Sequence, residues 1–207
     1  MSDKVKTSTS PASSSTKRIR KSLVVVGDGM TGKSCLLQVY VNGDFYENYQ
    51  PTVFENCCKD IEVNHTTVDM TIHDTAGQEE YSQLRPFSYH SADICVICFS
   101  VDNPDSLDNI EDQWMPEVRK FCPQARNILV ALKKDLRYDP EVIKNLYKKG
   151  RKPLTQEEGV RVADRIGAYN YFECSAKYKD GVDQIFQAAA ALSLEPKTIQ
   201  KRSCPVM

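Results

Sequence analysis

Eight consecutive residues, Gly27-Asp28-Gly29-Met30-Thr31-Gly32-Lys33-Ser34, constrain this chain more than any other stretch, because they satisfy the pattern G-x-x-x-x-G-K-[ST]. Such a loop works through its backbone. Successive N–H groups form a concave nest for phosphate oxygens, and the helix that follows adds the partial positive charge of its N-terminus. Glycine is needed where φ is positive or where a Cβ would hold the phosphates away. Lys33 then reaches the outer phosphates, and the Ser34 hydroxyl is a ligand for Mg²⁺. The competing reading is an ordinary Gly-rich turn. The flanks argue against it: Ser22-Leu23-Val24-Val25-Val26 has the apolar, β-branched character of a buried strand. Cys35-Leu36-Leu37-Gln38-Val39-Tyr40 continues as a helix with an apolar face.

From Ile19 onward strand and helix signals alternate, which predicts an α/β domain with a largely parallel sheet. Strands are expected at 19–26, 57–64, 67–73, 94–100, 127–132 and 170–174. The segment 57–73, broken at Asn64-His65, reads as a hairpin that adds one antiparallel edge strand. Helices are expected at 33–42, 104–121, 155–166 and 180–194. Thr155 and Glu158 form a candidate capping box, and Asp180-Gly181-Val182 starts the last helix in a similar way. Residues 139–150 form an extra charged amphipathic helix, with Pro140 in its first turn and Gly150 at its C-terminal end. At 207 residues this amounts to one domain at 19–194, a Ser/Thr-rich disordered extension at 1–18 and a mobile tail at 195–207.

Formal net charge is −1, so no overall field recruits nucleic acid, and no nucleic-acid partner is expected. Eight cysteines raise the question of disulfides or zinc. Cys57 and Cys58 are adjacent, Cys95 and Cys98 lie inside an apolar run, and none is spaced with histidines as a zinc site requires. Free thiols in a reducing cytosol are the reading, with Cys95 and Cys98 as small buried hydrophobes rather than a redox pair. No apolar stretch approaches the length of a membrane-spanning helix.

A phosphate loop does not separate kinases, ATPases and GTP-dependent switches. The next motif does. Asp74-Thr75-Ala76-Gly77-Gln78 follows the apolar run 68–72, at the carboxyl end of a strand, where such sheets bind their ligands. Asp74 can hold Mg²⁺ through a water, the Gly77 N–H can meet a γ-phosphate oxygen, and the Gln78 amide can orient an attacking water. Thr52, in a polar loop, offers a hydroxyl to the same Mg²⁺ while a γ-phosphate is present.

The segments Tyr49-Gln50-Pro51-Thr52-Val53-Phe54-Glu55-Asn56, Asp74 to Tyr81, Leu84-Arg85-Pro86, Pro104-Asp105-Ser106-Leu107, Trp114-Met115-Pro116-Glu117 and Glu173-Cys174-Ser175-Ala176-Lys177 resemble a Rho-family small GTPase of the Ras superfamily. The resemblance runs from about residue 20 to the C-terminus, and the extra helix near 139–150 matches the insert of that family. It implies a P-loop G domain, with six strands, and GTP or GDP as ligand with Mg²⁺. It makes 45–56 and 75–90 the two switch loops. Gly27, Asp28, Gly29, Met30, Thr31, Gly32, Lys33, Ser34 and Cys35 then surround the phosphates, and Phe45 packs against the guanine. Ser34, Thr52 and Asp74 are the implied Mg²⁺ positions; Gln78, Lys33 and Gly29 are those of hydrolysis. Ser175, Ala176 and Lys177 fall on the last base-contacting loop, where the Ala176 N–H meets guanine O6. Lys133 and Asp135 fall on the base-reading motif. The Asp135 carboxylate can accept N1–H and N2–H of guanine, a pair adenine lacks. Implied partners are exchange factors, GTPase-activating proteins, dissociation inhibitors and effectors.

Three positions depart from the family pattern. Leu132 stands where Asn or Thr opens the base-reading motif and offers no hydrogen bond, which predicts faster nucleotide release with selectivity kept by Asp135. Met30 is bulkier than usual and crowds an activating partner. His73 replaces an aromatic and carries no chemistry. The chain ends Cys204-Pro205-Val206-Met207, a C-a-a-X box that predicts a farnesylated Cys204. With Lys197, Lys201 and Arg202 beside it, this predicts reversible attachment to the cytoplasmic face of membranes, the plasma membrane above all, in exchange with cytosol. The sequence thus predicts a GTP-hydrolysing switch linked by family to the cytoskeleton. The alternative is a fast-exchanging, mostly GTP-bound effector module whose hydrolysis is incidental.

Overall fold

The computed structural model describes residues 17–46 and 54–196. Six strands form one sheet in the order β2-β3-β1-β4-β5-β6. They are β1 Lys17–Gly27, β2 Phe54–Val63, β3 Thr66–Thr75, β4 Ile94–Ser100, β5 Arg126–Leu132 and β6 Asn170–Glu173. All neighbours pair in parallel except β2 and β3. That hairpin turns at Asn64-His65, both with positive φ (46° and 61°), the geometry of a two-residue turn that matches strand twist.

Helices cover both faces of the sheet. On one face α1 (Lys33–Asn42) and α7 (Val182–Leu194) pack their apolar sides on Leu23, Val25, Ile72 and Val96. On the other, α2 (Arg85–Tyr89), α3 (Pro104–Asn109), α4 (Met115–Phe121) and α6 (Gln156–Ile166) meet Val24, Val26, Ile97 and Leu129. Strand β4 is buried along its whole length, as a central parallel strand must be. Cys95 and Cys98 belong to the two opposite cores, because residues three apart on a strand face opposite ways, so they cannot pair. No disulfide joins any cysteines among the described residues.

Several boundaries differ from the sequence reading. β1 begins at Lys17, inside the segment read as disordered, because β3 offers a partner from Lys17↔Thr66 onward. The helix expected at 104–121 contains a π-turn at Ile110–Trp114 between α3 and α4. The extra helix α5 spans Pro140–Tyr147, capped by the Asp139 carboxylate, and Gly150 lies beyond it with φ 68°. The capping box of Thr155 and Glu158 forms at α6. The similar start expected at Asp180 does not: α7 begins at Val182 behind Gly181, which has φ 83° and no side-chain cap. Helix α2 and the short turns at Glu79–Tyr81 and Lys134–Tyr138 had no sequence expectation.

Candidate nucleotide site

Four strand ends converge at the carboxyl edge of the sheet. β1 ends in Gly27 and leads into the phosphate loop; β3 ends in Thr75, just before Ala76-Gly77-Gln78. β5 ends in Leu132 before Lys133-Lys134-Asp135, and β6 ends in Glu173 before Ser175-Ala176-Lys177. A cavity of about 250 Å³ lies between the phosphate loop and the segment Thr75 to Gln78. A second, of about 160 Å³, is lined by Phe45, Leu132, Asp135, Leu136, Ala176 and Lys177. Gly32, Cys35 and Lys133 line both, so the two form adjoining halves of one site. A larger cavity of about 630 Å³, between α3 and α6, contains none of the residues expected at the nucleotide.

The phosphate half is shaped by close backbone approach. A Cβ on Gly27, where φ is +141°, would fall 2.1 Å from the Cys98 carbonyl oxygen. A Cβ on Gly77 would fall 2.3 Å from the Asp28 carbonyl carbon and 2.4 Å from Gly29 N, so only glycine fits against the loop there. Met30 has φ 62° and is 72% exposed at the mouth of this half. The Lys33 ammonium is buried and donates to the carbonyls of Gly27 and Asp28, each at 2.7 Å. Burial pushes it down from its ordinary value, while Cys98, Asp74 and Asp28 oppose the shift. Thr31 Oγ1 donates to the Asp28 carbonyl at 2.8 Å. Asp74 is buried at the end of β3, and Ser34 lies in the first turn of α1. Burial pushes the Cys35 thiol up.

The base half is held by contacts between distant loops. Lys133 takes a left-handed backbone (φ 55°) and its Nζ lies 3.4 Å from Asp102 Oδ2. Lys134 N donates to the Cys174 carbonyl at 3.0 Å, and its Nζ pairs with Asp180 at 2.7 Å. Arg137 Nη1 and Nη2 donate to the two Glu173 oxygens at 2.7 and 2.6 Å. Ser175 and Asp180 bridge through both backbone amides, which fixes the turn carrying Ala176. Leu132 is 2% exposed, a core residue that also touches the space beside Gly32.

The Ras family model matches residues 22–195 of this chain. The GTP-binding protein rho5 of Schizosaccharomyces pombe is 48% identical over 196 residues, which cover 91% of this chain and 98% of that protein. The chain belongs to the Rho family of small GTPases.

Of the positions expected for the nucleotide in this small GTPase, the structure brings together Gly29, Met30, Gly32, Lys33, Ser34, Cys35, Phe45, Gly77, Gln78, Lys133, Asp135, Ala176 and Lys177 around the joined cavities, while Gly27, Asp28 and Thr31 do not line them. Asp74 and Ser175 stand behind the walls, both buried. Thr52, most of the loop 45–56, and Cys204 with its basic neighbours lie outside the described residues. The Asp28 carboxylate does not face the cavity; it accepts from Asn109 Nδ2 at 2.7 Å and Trp114 Nε1 at 2.6 Å. His73 bridges strands, with Asn56 Oδ1 at 2.5 Å and Ser22 Oγ at 3.1 Å, and burial pushes its imidazole down. Sequence reasoning missed Arg85, Glu117 and Trp114. Their motif blocks marked the family, but no local signal says that an arginine is buried. No helix of the described residues is long and apolar enough to cross a membrane.

Proposed function

We propose that this GTPase binds GTP and GDP in the joined cavities, hydrolyses GTP slowly, and signals the change through 45–56 and 75–90. The observation that carries the reading is the continuity of a polar, amide-rich half with an apolar half bordered by one carboxylate, Asp135. Triphosphate and purine base make the same pair of demands. Phosphoryl transfer of this kind needs positioning and charge stabilisation more than covalent chemistry. In this reading Lys33 and the loop amides stabilise charge on the phosphates, Gly29 leaves room beside Gln78, and Gln78 orients the water. Intrinsic turnover falls on the order of 10⁻⁴ s⁻¹, the scale of Ras-type enzymes without an activating arginine.

The donor set suits Mg²⁺, a hard ion that prefers oxygen and keeps waters and phosphates in its shell. Ser34, Thr52 and Asp74 would hold it, and no cage of three or more His, Cys, Asp or Glu side chains competes among the described residues. When bound, Mg²⁺ spreads the charge of the β- and γ-phosphates. We further assign exchange factors, activating proteins, dissociation inhibitors and effectors as partners through the two switch loops, in Rho-type control of the cytoskeleton. A farnesyl group on Cys204 would bring the protein reversibly to the cytoplasmic face of membranes.

A second reading has support from Leu132 and Met30. An apolar strand end where a polar contact to the nucleotide is usual, and an exposed Met at the phosphate mouth, favour a fast-exchanging effector module. One experiment separates them: release of fluorescent GDP and single-turnover GTP hydrolysis, with and without a Rho-type activating protein. A switch shows stimulated hydrolysis; absence of stimulation supports the module, and preference for ATP over GTP defeats both.

A further inference from the structure

Arg85 opens α2 and is 3% exposed, yet the Leu84-Arg85-Pro86 block assigns it no role. Its Nε and Nη2 donate to Glu117 Oε1 and Oε2 at 2.8 and 3.0 Å, a bidentate pair. Its Nη1 donates to the backbone carbonyls of Ala76 (3.2 Å) and Gln78 (3.0 Å), the residues on either side of Gly77. Tyr89 OH donates to the same Glu117 Oε1 at 2.7 Å. The guanidinium lies over the Trp114 ring, 4.9 Å from its centre, and the opposite function of that indole is the bond to Asp28 in the phosphate loop. The π-turn Ile110–Trp114 therefore presents Asn109 and Trp114 to the phosphate loop and, within the next turn, Glu117 to Arg85. Widened turns of this type recur at functional sites.

We propose that Arg85 and Glu117 are positioning residues for hydrolysis, a clamp that fixes the backbone on both sides of Gly77 and so sets where Gln78 presents its amide. The clamp rests on the reading of Gln78 as the water-orienting residue. Gly77 is pressed against the phosphate loop on one side and its flanking carbonyls are tied to Arg85 on the other, so the segment has little freedom along either direction. The guanidinium, with four hydrogen bonds already made, is a structural cation here rather than a charge stabiliser for the phosphates. A lysine cannot reproduce this fork, since its single ammonium lacks the planar, paired donors. Because the bonds go to carbonyl groups and not to nucleotide, their loss acts on the rate and spares binding.

The test uses the full chain with Mg²⁺. Single-turnover GTP hydrolysis at saturating nucleotide is compared for wild type, Arg85→Lys, Glu117→Gln, Tyr89→Phe and Gln78→Ala, beside fluorescent-GDP affinity. Trp114 is the chain's one tryptophan, so its emission reports the clamp directly. Arg85→Lys and Glu117→Gln are expected to slow hydrolysis about 10- to 100-fold, the scale of small misplacements in an active site. GDP affinity stays within about threefold, and Arg85→Lys shifts Trp114 emission while binding persists. Tyr89→Phe keeps the ring, loses one hydrogen bond and slows hydrolysis about threefold; it decides the matter if the charged variants do not fold. Wild-type rates in the folded clamp variants, with Gln78→Ala slow, overturn the clamp and leave the Gln78 reading intact. A fast Gln78→Ala overturns that reading and the clamp with it. Affinity falling in step with rate means a merely structural role and also overturns the proposal.

Discussion

The two cavities that meet at Gly32 and Lys133 are built by different means. The phosphate half is made of one contiguous loop and one strand end pressed together so closely that glycine alone fits at the contacts, Gly27 on Cys98 and Gly77 on the loop. Its shape is a property of backbone. The base half gathers segments far apart in sequence, around Gly32 and Cys35, Phe45, Leu132 to Leu136 and Ala176, and its loops are tied by the charged pairs Arg137–Glu173, Lys134–Asp180 and Lys133–Asp102 in addition to backbone bonds. Steric necessity governs one half, and electrostatic ties between loops govern the other. At Gly27 and Gly77 the first admits no Cβ.

The sharpest way to break this contrast is Gly77→Ala. The added methyl meets the backbone of Gly27, Asp28 and Gly29 and cannot be accommodated by a rotamer change, so the loop and the Gln78 segment must part. Hydrolysis is expected to fall at least about 100-fold in single-turnover measurements. A wild-type rate would mean that the phosphate half is not sterically fixed.

Glu173→Gln tests the other half. The Arg137–Glu173 pair is 14% and 13% exposed, and Tyr171 OH adds a third bond at 2.6 Å. Leaving Arg137 without its carboxylate is expected to cost about 3 kcal/mol in urea unfolding at pH 7 and to speed GDP release. Burial pushes the Glu173 carboxyl up, but the bonds from Arg137 and Tyr171 outweigh it and the net shift is down from 4.5. A carboxyl lowered on folding stabilises fully above its unfolded value and loses that contribution as pH falls through the folded one. The gap between wild type and Glu173→Gln therefore holds at neutral pH and closes as pH drops below 4.5. A gap that persists unchanged into acid contradicts the charged pair.

The smallest effect expected is that of Leu132→Asn. One regained hydrogen bond is worth about 0.5–1.5 kcal/mol, which slows release of fluorescent GDP by roughly 2- to 10-fold. Equal release rates for the two proteins would show that Leu132 serves only the core, where it is buried as the last residue of β5.

The same contrast explains what could be read in advance. The phosphate loop, the Asp74-to-Gln78 motif, the Asn64-His65 hairpin and the Thr155–Glu158 cap are all short-range, each requiring particular residues within a few positions of one another. The π-turn was invisible because the apolar period of 104–121 runs on through it; it is the bonds of Asn109 and Trp114 to Asp28, 81 and 86 residues away, that distinguish it. Arg85 was read only as part of a family block, since a buried arginine and a solvated one have the same local sequence. Asp180 looked like a helix cap, but Gly181 lies 2.5 Å (at its would-be Cβ) from the Glu173 carbonyl, and the turn it permits sends Asp180 to Ser175 and Lys134 instead.

By itself the sequence determined the six strands, the parallel sheet with its one antiparallel hairpin and the family, because these follow from local periodicity and from short motifs. Only the tertiary structure decided how the base half is held, that Asp28 turns away to Trp114, and that Arg85 grips both sides of Gly77. Those are contacts between residues with no sequence proximity, and their strength depends on burial, which no single segment specifies.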